Sequence, residues 1–261
     1  MTSPFREGLF EGKVVFVAGG TSGINLGIAR RFADLGAKVA VLGRDPDKAR
    51  AAADGIGGLA LTADVRDYGA TRAAMERVRN ELGPMDVVVS GAAGNFLAPA
   101  LGMSANAFKA VIDIDLLGTF NVFRGCHDLL ATPASLIAIT AGQAVNAITL
   151  QAHACAAKAG INQLVRVLAL EWGPDVRVNG ISPGPIAGTE GMARLAPDAG
   201  TRTAHFERIA LKRWGEVEEI GEAAVFLCSS AAAYITGTII DVDGGSSVGD
   251  ATRRTPERGL G

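Results

Sequence analysis

The sequence predicts an α/β protein: a doubly wound parallel sheet of seven strands with helices on both faces, running through residues 1–261 as a single domain. Three observations predict it. Short β-branched runs recur seven times, and Ala-rich or amphipathic stretches of helical length separate most of them. Most of the runs are apolar at consecutive rather than alternate positions, so the sheet they build must be covered on both sides, as parallel sheets are. The composition agrees, since 48% hydrophobic residues, 34 glycines and 10 prolines supply a core and many tight turns.

The first strand is expected at 14–17, and Ala18-Gly-Gly-Thr-Ser-Gly-Ile-Asn-Leu-Gly27 follows it and opens a helix at 24–35. Glycines let a backbone approach an anion, and a helix N-terminus offers unpaired N–H groups to it. In this position the cluster predicts a Rossmann-type pyrophosphate site formed by Gly19, Thr21, Ser22, Gly23 and Ile24; a tight strand-to-helix turn is the plainer reading. The second strand, at 39–42, ends in Gly43-Arg44-Asp45. An acidic residue there would bond a free 2′-hydroxyl, whereas Arg44 pairs with a 2′-phosphate, which predicts NADP(H); Asp45 keeps NAD(H) open. The third strand, at 59–61, leads to Asp64-Val65, which either touch the adenine or cap the helix at 68–82.

A fourth strand at 87–89, a helix at 107–130 and a fifth strand at 136–139 follow, then a helix at 150–172. At about 100° per residue, Gln151, Ala154, Lys158 and Asn162 form one stripe on that helix, facing the expected cleft. The sixth strand is expected at 176–178. The stretch 183–214, rich in Gly, Pro and charge, then breaks the alternation and reads as a lid over the C-terminal edge of the sheet. A helix at 218–229, a strand at 239–242 and a weakly ordered tail at 249–261 complete the chain.

The charge balance excludes some functions. With 25 Lys+Arg against 27 Asp+Glu, the formal charge of -2 advertises neither a nucleic-acid nor an anionic-membrane surface, and a small-molecule partner is expected. Cys126, Cys155 and Cys228 show neither disulfide pairing nor metal-ligand spacing, so no metal is expected. The N-terminus lacks a secretory pattern, no apolar run reaches the roughly 20 residues of a membrane span, and Gly-Leu-Gly is not a peroxisomal address. A cytoplasmic location is therefore expected.

The glycine loop, the Lys158 helix and Asn179-Gly-Ile-Ser-Pro-Gly184-Pro-Ile-Ala-Gly-Thr189, in that order, resemble the short-chain dehydrogenase/reductase family over nearly the whole chain. The resemblance implies one Rossmann-type domain, a homotetramer, and an Asn-Ser-Tyr-Lys catalytic set. Carried across by motif, the lysine falls on Lys158, the tyrosine on Ala154, the serine on Ala141 and the asparagine on Asp115. Only the lysine survives. Asn25 stands where the glycine fingerprint would end, and Ser90-Gly-Ala-Ala-Gly94 replaces Asn-Asn-Ala-Gly.

Ala92-Ala-Gly-Asn-Phe96, Asp113-Ile-Asp115-Leu-Leu-Gly-Thr-Phe120, His153-Ala-Cys-Ala-Ala-Lys158, Glu171-Trp-Gly-Pro174 and Gly184-Pro-Ile-Ala-Gly-Thr-Glu-Gly191 resemble the 2,4-dienoyl-CoA reductase branch, especially its peroxisomal type. That branch implies NADPH-dependent reduction of a conjugated acyl-CoA, with Ala92, Ala93, Gly94, Pro183, Gly184 and Ile186 beside the cofactor and Asn95 and Phe96 beside the acyl group. The chemistry tolerates a missing tyrosine. Hydride added at the δ carbon of a dienoyl thioester sends electrons to the thioester oxygen, and the resulting enolate needs a donor at oxygen and a proton at the α carbon, which an ordered water can supply.

On this reading Asp115 holds the water, Lys158 holds the nicotinamide ribose, and Gln143, just past the fifth strand, donates to the thioester carbonyl. The plainer alternatives are a surface carboxylate at Asp115, a solvated Lys158 and a core Phe96. His153 is either a proton carrier or a satisfied helix-end histidine. Arg194, Arg202, Lys212 and Arg213 are candidates for the CoA phosphates or ordinary solvated charges. A ketone reductase with another acid, or a silent NADP(H)-binding protein, are the competing functions.

Overall fold

The computed structural model describes residues 4–189, 192 and 198–252. Seven strands, β1 Val14–Ala18, β2 Lys38–Gly43, β3 Leu59–Thr62, β4 Met85–Ser90, β5 Leu130–Ile139, β6 Val176–Pro183 and β7 Ile239–Val242, form one sheet in the order β3-β2-β1-β4-β5-β6-β7. Every pair is parallel, and each expected strand is present. The chain order reverses between β1 and β4, so a crevice opens beyond their C-terminal ends, where ligands of such sheets bind.

The consecutive apolar residues of β1 feed two cores. Val14, Phe16 and Ala18 face a layer built by α3 (Tyr68–Glu81), α5 (Gly118–Cys126) and α6 (Ala152–Trp172), while Val15 and Val17 face α1 (Gly23–Asp34), α2 (Pro46–Asp54) and α8 (Val217–Cys228). Burial on both faces is what β1 needs, because neither of its faces carries a polar residue that could meet water.

Helix α2 departs from the sequence reading, which placed none between β2 and β3. Its buried residues are three alanines, Ala49, Ala52 and Ala53, so its apolar stripe is faint; the start signal, Asp45 before Pro46, is plain. Asp45 accepts hydrogen bonds from the Asp47 and Lys48 N–H groups at 3.0 and 3.1 Å. Asp67, not Asp64, caps α3.

The long helix expected at 107–130 is in pieces: α4 (Ala105–Val111), a π-helical stretch Ile112–Leu117, α5, and a 3₁₀ turn His127–Leu129. Within the expected lid, α7 (Ala199–Arg208) forms, and a bridge between Ile186 and Gly215 joins the two ends of the insertion. Ala251 N–H donates to Arg208 O at 3.2 Å, which ties the end of the described chain to α7; residues 253–261 lie outside the described residues.

Candidate active site

Two adjoining cavities occupy the crevice and share Asn25, Gly91 and Ala93. The first, of about 360 Å³, lies over β1, β2 and β3 and is lined by Gly19, Thr21, Ser22, Arg44, Asp64 and Val65, all singled out from sequence, and by Ala92 and Ala93. Gly19 adopts φ +76°, and a Cβ there would come within 2.8 Å of Ala92 Cα, so only glycine leaves this floor open. Ser22 occupies the N-cap position of α1 without capping it, so the first-turn N–H groups have no side-chain partner and suit an anion. A dinucleotide fits this donor set. Gly23 lines neither cavity, and Ile24 lines the second.

Arg44 is joined in the first cavity by Lys48, a residue missed from sequence because finding it requires α2. The Asp45 carboxylate is committed to the α2 N-terminus. Asp64 is held below the usual carboxylate range by its hydrogen bonds with Arg66, against the opposing effect of partial burial, with a smaller contribution from Arg44.

The second cavity, of about 430 Å³, lies over β4, β5 and β6 and brings together Gly94, Asn95, Asp115, Ala141, Gln143, Ala154, Lys158, Pro183, Gly184 and Ile186. Asp115 is 1% exposed, which removes the surface reading. The π-helical stretch that breaks the long helix carries it; such single-turn widenings occur often at functional sites. Its Oδ1 accepts the Gly94 N–H at 2.8 Å, and its Oδ2 lies 3.2 Å from Lys158 Nζ. Lys158, also buried, donates to Ile139 O at 3.1 Å as well. Asp113, by contrast, pairs with Lys109 at the surface. The stripe Gln151, Ala154, Lys158, Asn162 is buried throughout, as the helical spacing implied.

Neither tyrosine approaches this cavity: Tyr68 and Tyr234 are exposed on other surfaces. Ala141 and Ala154 line it where hydroxyl-bearing residues would otherwise stand. Phe96 is outside the lining, with its ring 4.3 Å from that of His153. His153 is fully buried with both ring nitrogens lacking a hydrogen-bond partner, so it is not the satisfied helix-end histidine that the sequence allowed. Lys212 donates to Ala251 O and Arg213 pairs with Glu219, so these two lid charges are held internally; Arg194 lies outside the described residues. No group of three or more His, Cys, Asp or Glu able to hold a metal occurs among the described residues.

The family profile described as enoyl-(acyl carrier protein) reductase matches residues 18–247, from the glycine loop to beyond the last strand. The chain belongs to the short-chain dehydrogenase/reductase family. It is 40% identical over 252 residues to a peroxisomal (3E)-enoyl-CoA-producing 2,4-dienoyl-CoA reductase of Saccharomyces cerevisiae, covering 92% of this chain and 86% of that protein. It is 39% identical over 251 residues to the peroxisomal 2,4-dienoyl-CoA reductase of Rattus norvegicus, covering 93% and 86%. A solved short-chain dehydrogenase from Bacillus anthracis superposes with a TM-score of 0.83 at 36% identity, covering 90% of this chain and 96% of that one.

As a short-chain dehydrogenase/reductase the protein is an oxidoreductase that uses a nicotinamide cofactor. Its departure from the family's hydroxyl-based set is structural as well as sequential: an ion pair and two alanines line the second cavity.

Proposed function

We propose that this short-chain dehydrogenase/reductase reduces conjugated acyl-CoA thioesters, taking 2,4-dienoyl-CoA to 3-enoyl-CoA with NADPH. The observation that carries this reading is the buried Asp115–Lys158 pair in a cavity that contains no phenol. A ketone reduced at one carbon needs a positioned proton donor beside its oxygen; a dienoyl thioester spreads the arriving electron pair to its own oxygen and takes its proton at carbon. The names of the yeast and rat relatives support the same substrate class.

NADPH, when bound, supplies the hydride that the δ carbon receives. Arg44 and Lys48 hold its 2′-phosphate, and the Gly19 floor and α1 N-terminus hold its pyrophosphate. Lys158 has three donors; two face Ile139 O and Asp115, leaving the third for a ribose hydroxyl. Asp115 spends part of its accepting capacity on Gly94 and Lys158, and the remainder orients a water with one hydrogen toward the α carbon. As that proton leaves, the Lys158 cation stabilises the hydroxide left behind, which takes up a proton from solvent to become water again. The amides of Asn95 and Gln143 donate to the thioester oxygen, and Phe96 flanks the acyl chain with exposed Leu97, Ile148 and Leu150.

The test is NADPH oxidation with 2,4-hexadienoyl-CoA, with crotonyl-CoA and a simple ketone alongside. Turnover of the first alone supports the proposal. Turnover of the ketone alone makes the protein a carbonyl reductase, and tight NADPH binding without turnover of any of the three makes it a silent nucleotide-binding protein.

A homotetramer is part of the proposal. The outward faces of α5, α6 and the π-helical stretch, all on one side of the sheet, expose Leu117, Phe120, Val167 and Leu170, an apolar surface suited to a second copy. Light scattering on the purified chain checks it. No helix among the described residues is long and apolar enough to cross a membrane. The cytoplasm is proposed as the compartment from the three free cysteines, while the two relatives above are named peroxisomal; microscopy of the tagged full chain separates the two.

A further inference from the structure

We infer that Gln151 is a positioning residue for the substrate carbonyl: it fixes the side-chain amides of Asn95 and Gln143 so that each turns an N–H toward the thioester oxygen. The inference rests on the acyl-CoA reading for the identity of the ligand.

Gln151 is 7% exposed and occupies the N-cap position of α6, yet its side chain does not cap the helix. A buried amide turned away from unpaired helix N–H groups must be satisfied elsewhere. Its Oε1 accepts from Asn95 Nδ2 at 2.7 Å and faces Gln143 Nε2 at a longer 3.4 Å. These two donors come from different elements, Asn95 from the loop after β4 and Gln143 from the turn after β5, and both line the reaction cavity.

One acceptor shared by two amides sets the sense of both. Each NH₂ group carries two hydrogens; one goes to Gln151 and the other remains for the cavity. Without the shared oxygen either amide can rotate and present its carbonyl to the thioester oxygen, replacing attraction by repulsion. Two donors already aimed where negative charge develops need no reorganisation as the enolate forms.

The backbone reinforces the arrangement. Ala98 N–H donates to Leu150 O at 3.0 Å, so the Asn95 loop is tied to the start of α6 a second time. Leu150 adopts φ +66°, a left-handed conformation costly for a leucine, immediately before Gln151. Strain at this point is consistent with a side chain whose direction matters.

The experiment uses the full chain with NADP⁺ and a dienoyl-CoA labelled with ¹³C at the thioester carbonyl, read by difference infrared spectroscopy. The wild-type band is expected below its frequency in water. Gln151→Met, which keeps the volume and removes the acceptor, is expected to return the band toward the water value. It is also expected to lower kcat by roughly ten- to a hundredfold with NADPH affinity unchanged. In an Asn95→Ala, Gln143→Ala background the same substitution is expected to do nothing further, because its effect passes through those two amides.

Should Gln151→Met fail to fold, Gln143→Leu serves at a less buried position and is expected to remove part of the shift. A displaced wild-type band that neither Gln151→Met nor Gln143→Leu moves overturns the inference and leaves the acyl-CoA reading standing. Additive losses in the combined variant overturn it too. A wild-type protein that takes up no thioester overturns the acyl-CoA reading and this inference together.

Discussion

Lys158 Nζ lies 3.2 Å from Asp115 Oδ2, and both side chains are less than a tenth exposed. Burying two charges is costly, and breaking such a pair leaves the survivor uncompensated. Asp115→Ala is therefore expected to destabilise the fold by about 3–5 kcal/mol as well as to abolish dienoyl-CoA turnover. Asp115→Asn keeps the shape, so it is expected to hold more of the melting temperature while still losing kcat. Unchanged turnover in either variant removes Asp115 from the mechanism.

Arg44 and Lys48 line the nucleotide cavity together, while Asp45 is occupied at the α2 N-terminus. Charge-assisted hydrogen bonds contribute about 1.5–3 kcal/mol each. Replacing both basic residues by alanine is expected to raise the Kd of NADPH by roughly a hundredfold or more and to leave NADH binding nearly unchanged. Fluorescence titration with both cofactors measures this, and equal losses for the two would rule out a 2′-phosphate role.

Restoring a phenol should not restore ketone chemistry. Ala154 is 1% exposed and packs with Val111, Ala157, Ile112 and Leu116 as well as lining the cavity. Ala154→Tyr is expected to overpack this cluster, lowering stability by about 1–3 kcal/mol, without producing ketone reduction. Thermal melts and a ketone panel test both halves of the expectation.

Asn25 Nδ2 donates to Gly91 O at 2.7 Å, and a Cβ on Gly91 would lie 2.1 Å from Asn25 Oδ1. The two residues fill one space between the cavities. Gly91→Ala is expected to displace Asn25 and weaken cofactor binding by about tenfold, or ~1.4 kcal/mol, and adding Asn25→Gly is expected to recover most of it. If the second substitution deepens the loss, the two positions do not compensate.

Glu219 contributes to stability in acid. Its carboxyl is lowered to about 2, first by the hydrogen bond from Arg213 and then by the Glu216 N–H, against partial burial. In an unfolded chain it titrates near about 4.3. A lowered folded pKa gives stability that is full above the unfolded value and is lost as pH falls through the folded one. The melting temperature should fall less steeply between about pH 5 and about pH 2 for Glu219→Gln than for the wild type.

Much of the fold could be read from the sequence because its signals are local. Short aliphatic runs mark all seven strands, β-branched in all but Leu59-Ala-Leu61, and Ala18–Gly27 sits where the sheet reverses order. Helix α2 was missed because alanines alone make its buried stripe, so the period is weak although Asp45-Pro46 announces its start. Lys48 was lost with it. The π-helical turn at Asp115 was also beyond reach, since it depends on how α4 and α5 pack rather than on any residue preference.

By itself the sequence determined the strand order's raw material, the glycine floor for a dinucleotide, the absence of tyrosine beside Lys158 and the stripe that carries Gln151 with it. Those follow from backbone sterics and helical period, which act over a few residues. Only the tertiary structure decided that Asp115 is buried against Lys158, that Lys212 and Arg213 have partners within the chain, and that Asn95, Gln143 and Gln151 meet at one oxygen. These are contacts between different elements, and their existence depends on desolvation and packing that no short stretch of chain contains.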